Sequence, residues 1–208
     1  QGEVHHGFYI ANAGQLHHID LQKHSGGKSV MVYGQTELTR DLYEGRDRLK
    51  GQVIHLAQDV QPHDLHADRP RVTYRLGDQS HEIECDFVVG ADGYHGVSRR
   101  SIPSHVLKEY EKVFPFGWLG VLSRTPPVSP ELVYARHERG FALCSLRSQV
   151  LSRYYIQVPL SDTVEQWSDA QFWEELKRRL PQELAQRLVT GPSIEKSIAP
   201  LRAFIAEP

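Results

Sequence analysis

Four strand-like runs follow one another in the second half of the chain: residues 116–123 (FGWLGVLS), 131–137 (ELVYARH), 140–148 (GFALCSLRS) and 153–160 (RYYIQVPL). Their connections are short. Neighbouring strands joined this closely run antiparallel, because a parallel return needs a crossover of roughly a dozen residues or more. The stretch therefore commits the chain to a mainly antiparallel sheet. The next segment supplies helices to cover it. In WSDAQFWEELKRRL, Ser168 and Gln171 have capping-box spacing, Trp167 and Phe172 have staple spacing, and Phe172, Leu176 and Leu180 share one helical face. Pro181 opens a second short helix that Gly191 and Pro192 end, and SIAPLRAFIAE reads as a final strand.

Upstream the texture is mixed. GFYIANAGQLHHIDL predicts two short strands about a turn at residues 12–14, and SVMVYGQ a loop or short strand. TELTRDLYEGRDRLKG carries Leu38, Leu42 and Leu49 at roughly helical spacing, with Gly51 closing the helix. QVIHLAQDVQPHDL predicts a strand and then a loop at Pro62. RVTYRL and HEIECDFVVG form a second hairpin around Gly77 and Asp78, and the continuous apolar run FVVG reads as a strand buried on both faces. The fold class is α/β (α+β): a mixed part to about Ser101, then a sheet-plus-helices part, with the boundary near Pro103.

With 208 residues the chain is long enough for a real core. Its formal net charge of -2 gives no bulk attraction to nucleic acid or an acidic membrane surface. No apolar run approaches the ~20 residues of a membrane span, and no signal peptide is visible. Cys85 and Cys144 sit in apolar runs, which argues against a disulfide scaffold and fits a reducing cytoplasm. The 12 histidines are scattered without zinc-site spacing, so no metal is expected, and no G-x-S-x-G elbow occurs. Gln1 runs straight into strand-like sequence and Pro208 directly follows an apolar run. Termini usually lie loose at the surface, so the sequence reads as a piece of a longer protein.

Two arginines draw the eye. Arg147 and Arg153 flank the junction of the last two runs, beside Ser145, Tyr154 and Tyr155. Strand alternation puts Ser145, Arg147 and Gln149 on one face, and Arg153, Tyr155 and Gln157 on one face of the next strand. Arginine with hydroxyl donors grips a small carboxylate in two-pronged geometry, and Tyr134 adds a phenol, which together suggest a pocket for an aromatic acid. The competing reading is an exposed sheet edge with charged residues. In FVVGADGYHGVSRRS, Gly90, Asp92, Gly93 and Gly96 would let the backbone approach a ligand, and Arg99 and Arg100 could reach phosphates. The alternative is a turn with solvated arginines; the spacing is not the G-x-G-x-x-G fingerprint. The aromatic groups 114–116–118 and 167–172–173 read as core rather than as ligand platforms.

The stretches GGKSVMVYGQTELTRDL, GADGYHGVSRRSIP, FPFGWLGVLSRTPPVSPELVYARHERGFALCS, SRYYIQVPL and LVTGPSIEKSIAPLRAFIAEP carry a family resemblance. The chain resembles the class A flavoprotein aromatic monooxygenases, and among them those that hydroxylate 4-hydroxybenzoate, over essentially all its residues. The resemblance implies that residues 1–102 are the middle part of an FAD-binding doubly wound domain and residues 103–208 a substrate-binding domain. It implies FAD and NADPH (or NADH) as cofactors, with 4-hydroxybenzoate converted to 3,4-dihydroxybenzoate in a cytoplasmic enzyme, and it is compatible with a homodimer. By the same resemblance Ser145, Arg147 and Tyr155 hold the substrate carboxylate. Tyr134 hydrogen-bonds the 4-hydroxyl, and His5 is the outer end of a proton relay to solvent. Gln35, Asp92 and Arg153 serve FAD; His95, Arg99 and Arg202 serve NADPH. His6 stands where family members carry an acidic residue. A phenol must be ionised to make its ring electron-rich, and a hydrogen-bonded tyrosine near positive charge lowers its pKa. The family's N-terminal glycine fingerprint, its later Gly-Asp motif and the second tyrosine of the relay have no counterpart here, so this stretch is expected not to turn over alone. A related flavin hydroxylase for another aromatic acid, or a non-catalytic aromatic-acid-binding module, are the alternatives.

Overall fold

A computed structural model describes residues 2–207, with side chains through Ala203. In chain order the elements are β1 (Glu3–His5), β2 (Gly7–Asn12), β3 (Gln15–Asp20), α1 (Leu21–Ser25), β4 (Val30–Val32), α2 (Gln35–Arg48), β5 (Gln58–His63), β6 (Arg71–Leu76) and β7 (Gln79–Glu84). They continue with β8 (Lys108–Ser123), β9 (Val133–Arg136), β10 (Ala142–Ser148), β11 (Leu151–Pro159), α3 (Asp169–Arg179), α4 (Gln182–Arg187) and β12 (Ser193–Glu207). The chain divides into two compact units, Gln1–Tyr43 with Lys112–Ala203, and Glu44–Glu111 with Phe204–Pro208.

The first unit is built on a seven-stranded sheet in the order β12-β8-β11-β10-β9-β2-β3. The four runs are the antiparallel ladder β8-β11-β10-β9. β2 then pairs β9 in parallel, and β3 returns from β2 as the expected hairpin. That parallel pairing draws β2 and β3 into the large sheet, while β1 and β4 pair in a separate two-stranded sheet.

Alternation along the ladder separates two faces. One carries Leu119, Val121, Val133, Ala135, Ala142, Cys144, Tyr154 and Ile156, each no more than 2% exposed. α3 and α4 cover this face with Phe172, Trp173, Leu176 and Leu184. Burying one such side chain stabilises by about 1.5–3 kcal/mol. Polar groups on this side are satisfied: Trp173 Nε1 donates to the Gly191 carbonyl at 2.8 Å, and Tyr154 accepts from the Val128 N–H at 3.2 Å. Burial pushes the Tyr154 phenol up to about 12. Ser168 caps α3 in the predicted capping box with Gln171. Asp169 ties the helix start to β12 by accepting from Ser193 N–H and Oγ–H at 2.8 Å each and pairing Lys196 at 2.6 Å.

A buried ion network closes the far end of the ladder. Glu175 on α3 takes Arg179 at 2.9 Å and Arg139 in bidentate contact. Arg179 Nη1 also donates to the carbonyls of Phe141 at 3.0 Å and Gln157 at 2.8 Å. Burial opposes the Glu175 charge, but the two arginines hold its carboxyl below the ordinary range.

The second unit holds the three-stranded antiparallel sheet β5-β6-β7, including the expected hairpin at Gly77. Four expectations are corrected. The strand predicted near residue 53 lies instead at β5 and includes Pro62, tolerable because β5 is an edge strand with a bulge. The run FVVG is not a buried strand: β7 ends at Glu84, and Phe87 and Val89 are 86% and 85% exposed. A strand buried on both faces needs paired neighbours and a layer over each face, and none of the described strands pairs with these residues. α2 ends in a Schellman-type closure with Lys50, not glycine, in the left-handed position (φ 52), while Gly51 N–H bonds Arg46 O at 3.0 Å. Its Leu42 and Leu49 are exposed rather than packed. α4 ends at Arg187, short of Gly191, because Leu188 turns to extended backbone. Among the described residues no helix is long and apolar enough to cross a membrane.

Candidate active site

The uncovered face of the ladder carries the polar residues singled out by alternation. Ser145 on β10 is directly opposite Arg153 on β11, which is opposite Leu122 on β8. One pleat along, Tyr134, Leu143, Tyr155 and Gly120 form a row across β9, β10, β11 and β8. The two polar stripes thus meet on one face. Arg147 owes its place to a bulge: the register slips between Leu146 and Ser148, leaving it without a cross-strand partner.

A cavity of about 270 Å³ opens on this face, with Arg147, Arg153 and Tyr155 along the sheet side. Gln35 and Glu37, from the first turn of α2, and Glu195 from β12 complete it. Arg153 is 13% exposed and already engaged. Its Nη1 meets Glu195 Oε1 at 2.7 Å, its Nε donates to the Tyr155 hydroxyl at 3.2 Å, and its guanidinium lies over the Tyr155 ring at 5.3 Å. Burial works against the Arg153 charge, but the Glu195 and Tyr155 contacts outweigh it and raise its pKa. Gly120 makes this reach possible. A Cβ there would lie 2.9 Å from the Tyr155 ring and 3.3 Å from Arg153 Nη2. Arg147 differs: among the described residues its guanidinium has no ion pair and no hydrogen bond.

Ser145 is 7% exposed and stands opposite Arg153 on the ladder, outside the cavity lining. Tyr134 stands two strands from Tyr155, a backbone interval of roughly 10 Å, and rests edge-on to Phe8 at 5.5 Å. The aromatic group 114–116–118 departs from the expected core position. By alternation its side chains lie on the uncovered face, half-buried, and they run as a ladder of ring contacts from Phe114 through Phe116 and Trp118 to Phe141 and Tyr134. Phe172 and Trp173, by contrast, are core as expected.

His5, expected at the outer end of a proton relay, is buried: it is 0% exposed, and neither ring nitrogen has a hydrogen-bond partner among the described residues. Burial lowers its pKa, opposed by the charges of Glu131 and Glu3. Glu131 accepts from the His6 and Gly7 N–H groups at 2.8 and 2.7 Å and contacts His18 Nε2 at 2.7 Å.

In the second unit, Asp92, Gly93, Ser98 and Arg99 border a cavity of about 570 Å³. Asp92 accepts from the Ser98 N–H at 2.9 Å, which holds its carboxyl below the usual range. A Cβ at Gly96 would run into that carboxylate, so the glycine lets the loop close on Asp92. Arg99 pairs Glu109 at 3.2 Å and stacks over Tyr94, and His95 meets the Tyr94 ring edge-on. Arg202 is exposed on β12. Among the described residues no group of three or more His, Cys, Asp or Glu is placed to hold a metal. Sequence reasoning missed Glu195, Glu37 and Gly120. Only the strand order, which puts β12 two strands from β11, could have revealed Glu195.

The sequence profile of the FAD binding domain family matches residues 1–208. The chain belongs to this FAD-binding domain family. It is 55% identical over all 208 residues to p-hydroxybenzoate hydroxylase of Acinetobacter baylyi, covering 51% of that protein. This FAD-binding chain thus spans about half the length of the curated relative it matches. The solved structure of p-nitrophenol 4-monooxygenase PnpA from Pseudomonas putida DLL-E4 is similar with a TM-score of 0.76 at 11% identity, over 99% of this chain and 53% of that one. That of pqsL, a probable FAD-dependent monooxygenase from Pseudomonas aeruginosa, has a TM-score of 0.71 at 18% identity, over 96% and 56%. These two likenesses establish the mixed α/β fold.

The residues present fit part of the flavin cofactor that the family implies. Gln35 makes no hydrogen bond among the described residues, which leaves an amide donor and acceptor at the cavity rim. In the same unit Arg153 is a cation fixed by Glu195; in the other, Asp92 is a carboxylate fixed by its own loop.

Proposed function

We propose that this chain holds the substrate, and part of the flavin, in an FAD-dependent hydroxylase that converts 4-hydroxybenzoate to 3,4-dihydroxybenzoate with NADPH or NADH as reductant. The observation that carries the reading is Arg147, a cavity arginine with no counter-ion beside another that has one. A partly buried cation left open invites an anion, and guanidinium prefers a planar carboxylate in two-pronged contact. Ser145 and Tyr155 add hydroxyls at the same end. The edge-on aromatic ladder and Leu143 offer an apolar surface beside it, and Tyr134 at the end of that ladder is the phenol this reading sets against the para hydroxyl.

In this reading Arg147 takes the carboxylate, with Ser145 and Tyr155 fixing its plane. Tyr134 hydrogen-bonds the phenol and favours its ionised form. His5 lies on the path by which the released proton leaves, and a lowered pKa suits it to pass the proton on rather than hold it. Bound FAD supplies the activation of oxygen. Gln35, Arg153 and Asp92 contact the flavin, while His95, Arg99 and Arg202 serve NADPH. The functional division into a cofactor part, residues 1–102, and a substrate part, residues 103–208, is part of the proposal, as are cytoplasmic location and a homodimer.

The test is carried out on the full natural chain with FAD. The expected result is NADPH or NADH oxidation stimulated by 4-hydroxybenzoate, with 3,4-dihydroxybenzoate formed. Binding of 4-hydroxybenzoate with no stimulation and no product would favour a non-catalytic acid-binding module and overturn the enzyme reading.

A further inference from the structure

The cavity contains more charge than one carboxylate ligand needs. Two guanidiniums and two carboxylates border about 270 Å³. Glu37 is in the first turn of α2, with its carboxylate against Gly34, where the helix N-terminus favours negative charge. Glu195 and Arg153 meet across β8 at 2.7 Å, and Gly120 leaves room for the Arg153 guanidinium and the Tyr155 ring. Arg153 is 13% exposed and Glu195 is 54% exposed, so the acid closes the solvent side of an otherwise buried cation. Only Arg147 is left for a ligand.

We propose that Glu195 is a specificity-determining residue: by occupying Arg153 it limits the cavity to aromatic acids with a single carboxylate. This rests on the reading of Arg147 as the carboxylate clamp. Without Glu195, the cavity would offer two free guanidiniums on one sheet face, a site suited to a benzene dicarboxylate. With it, a second carboxylate would meet Glu195 as a like charge and find Arg153 taken. Discrimination of this kind comes from a repulsive element placed beside an attractive one. The same ion pair also holds Arg153 against the Tyr155 hydroxyl, so Glu195 positions Tyr155 through Arg153.

The experiment is equilibrium binding to the full natural chain with FAD, using 4-hydroxybenzoate and the three benzene dicarboxylates (phthalate, isophthalate and terephthalate). For Glu195→Gln the expected result is a rise of at least about tenfold in the affinity for one dicarboxylate relative to 4-hydroxybenzoate. Glu195→Asp, which keeps the charge, leaves that ratio near its original value. In the Glu195→Gln, Arg153→Met double variant the gain disappears, as coupling between the two residues requires. A ratio unchanged in a natively folded Glu195→Gln protein overturns the assignment, and so does a gain that persists without Arg153. If the unaltered chain fails to bind 4-hydroxybenzoate, the clamp reading itself falls, which is a distinguishable result.

Discussion

Two arginine clusters stand at the same antiparallel ladder and differ in one respect. At the end of α3, Arg179 and Arg139 share Glu175, and Arg179 also binds two backbone carbonyls. Both buried partners there, Glu175 and Arg179, are engaged on several sides. On the uncovered face, Arg153 has Glu195 and Tyr155, but Arg147 has neither an acid nor a carbonyl among the described residues. The first cluster is closed and holds helix to sheet. The second is left one acceptor short. The contrast separates structural charge from charge kept for a ligand, because a buried donor without a partner costs free energy that only a ligand or water can recover.

The strongest way to break this contrast is Arg179→Ala. It leaves Glu175 buried with one partner fewer and frees two carbonyls, so unfolding in urea should show a loss of about 3–5 kcal/mol. If stability is unchanged, the closed cluster is not structural. Arg147→Met should do the reverse. Affinity for 4-hydroxybenzoate should fall about a hundredfold, roughly 3 kcal/mol, while stability stays within about 0.5 kcal/mol. Destabilisation without an affinity loss would show that Arg147, too, is structural. Gly120→Ala sharpens the comparison from the packing side. Its Cβ would press on the Tyr155 ring and Arg153, and overpacking of this kind costs about 1–3 kcal/mol. Isothermal titration with 4-hydroxybenzoate should register most of that cost as weaker binding, if Tyr155 belongs to the open cluster.

Two smaller effects depend on pH. Asp169, a closed group, has its carboxyl lowered to about 2: burial pushes it up, but Lys196 and Ser193 more than reverse this. A depressed carboxyl adds stability above its unfolded value, and that stability is lost as pH falls towards 2. Asp169→Asn should flatten the acid limb of a stability-versus-pH curve below about pH 4. His5 is an open group, buried with both nitrogens unpartnered. Burial lowers its pKa, so its neutral form contributes stability above the unfolded value near ~6.5 that declines as pH drops below it. His5→Leu should remove that decline, and thermal melts at pH 7 and pH 5.5 would measure it.

Much of the first unit was legible in the sequence, because its signals are local. Short connections imposed antiparallel neighbours, and the spacing of Ser168 and Gln171 marked the start of α3. Period-two alternation grouped Ser145 with Arg147 and Arg153 with Tyr155, and the strand register then put the two groups on one face. The same alternation applied to residues 114, 116 and 118, yet their aromatic character suggested core. Which face a helix layer covers is not written in a strand, and here α3 and α4 cover the other one. FVVG failed for a related reason. An apolar run becomes a buried strand only if neighbours flank it, and none of the described strands does.

The sequence by itself determined the kind of sheet, the helix that covers it and the presence of two arginines at one strand junction. These features arise from spacing, capping chemistry and alternation within a few residues. Only the tertiary structure decided which arginine is open. That depended on β12 lying next to β8, on Gly120 clearing the way for Arg153 to reach Glu195, and on a bulge that leaves Arg147 without a partner across the ladder. A charge is made available or unavailable by what stands opposite it. Residues far apart in sequence come to stand opposite one another only through the order and register of the strands.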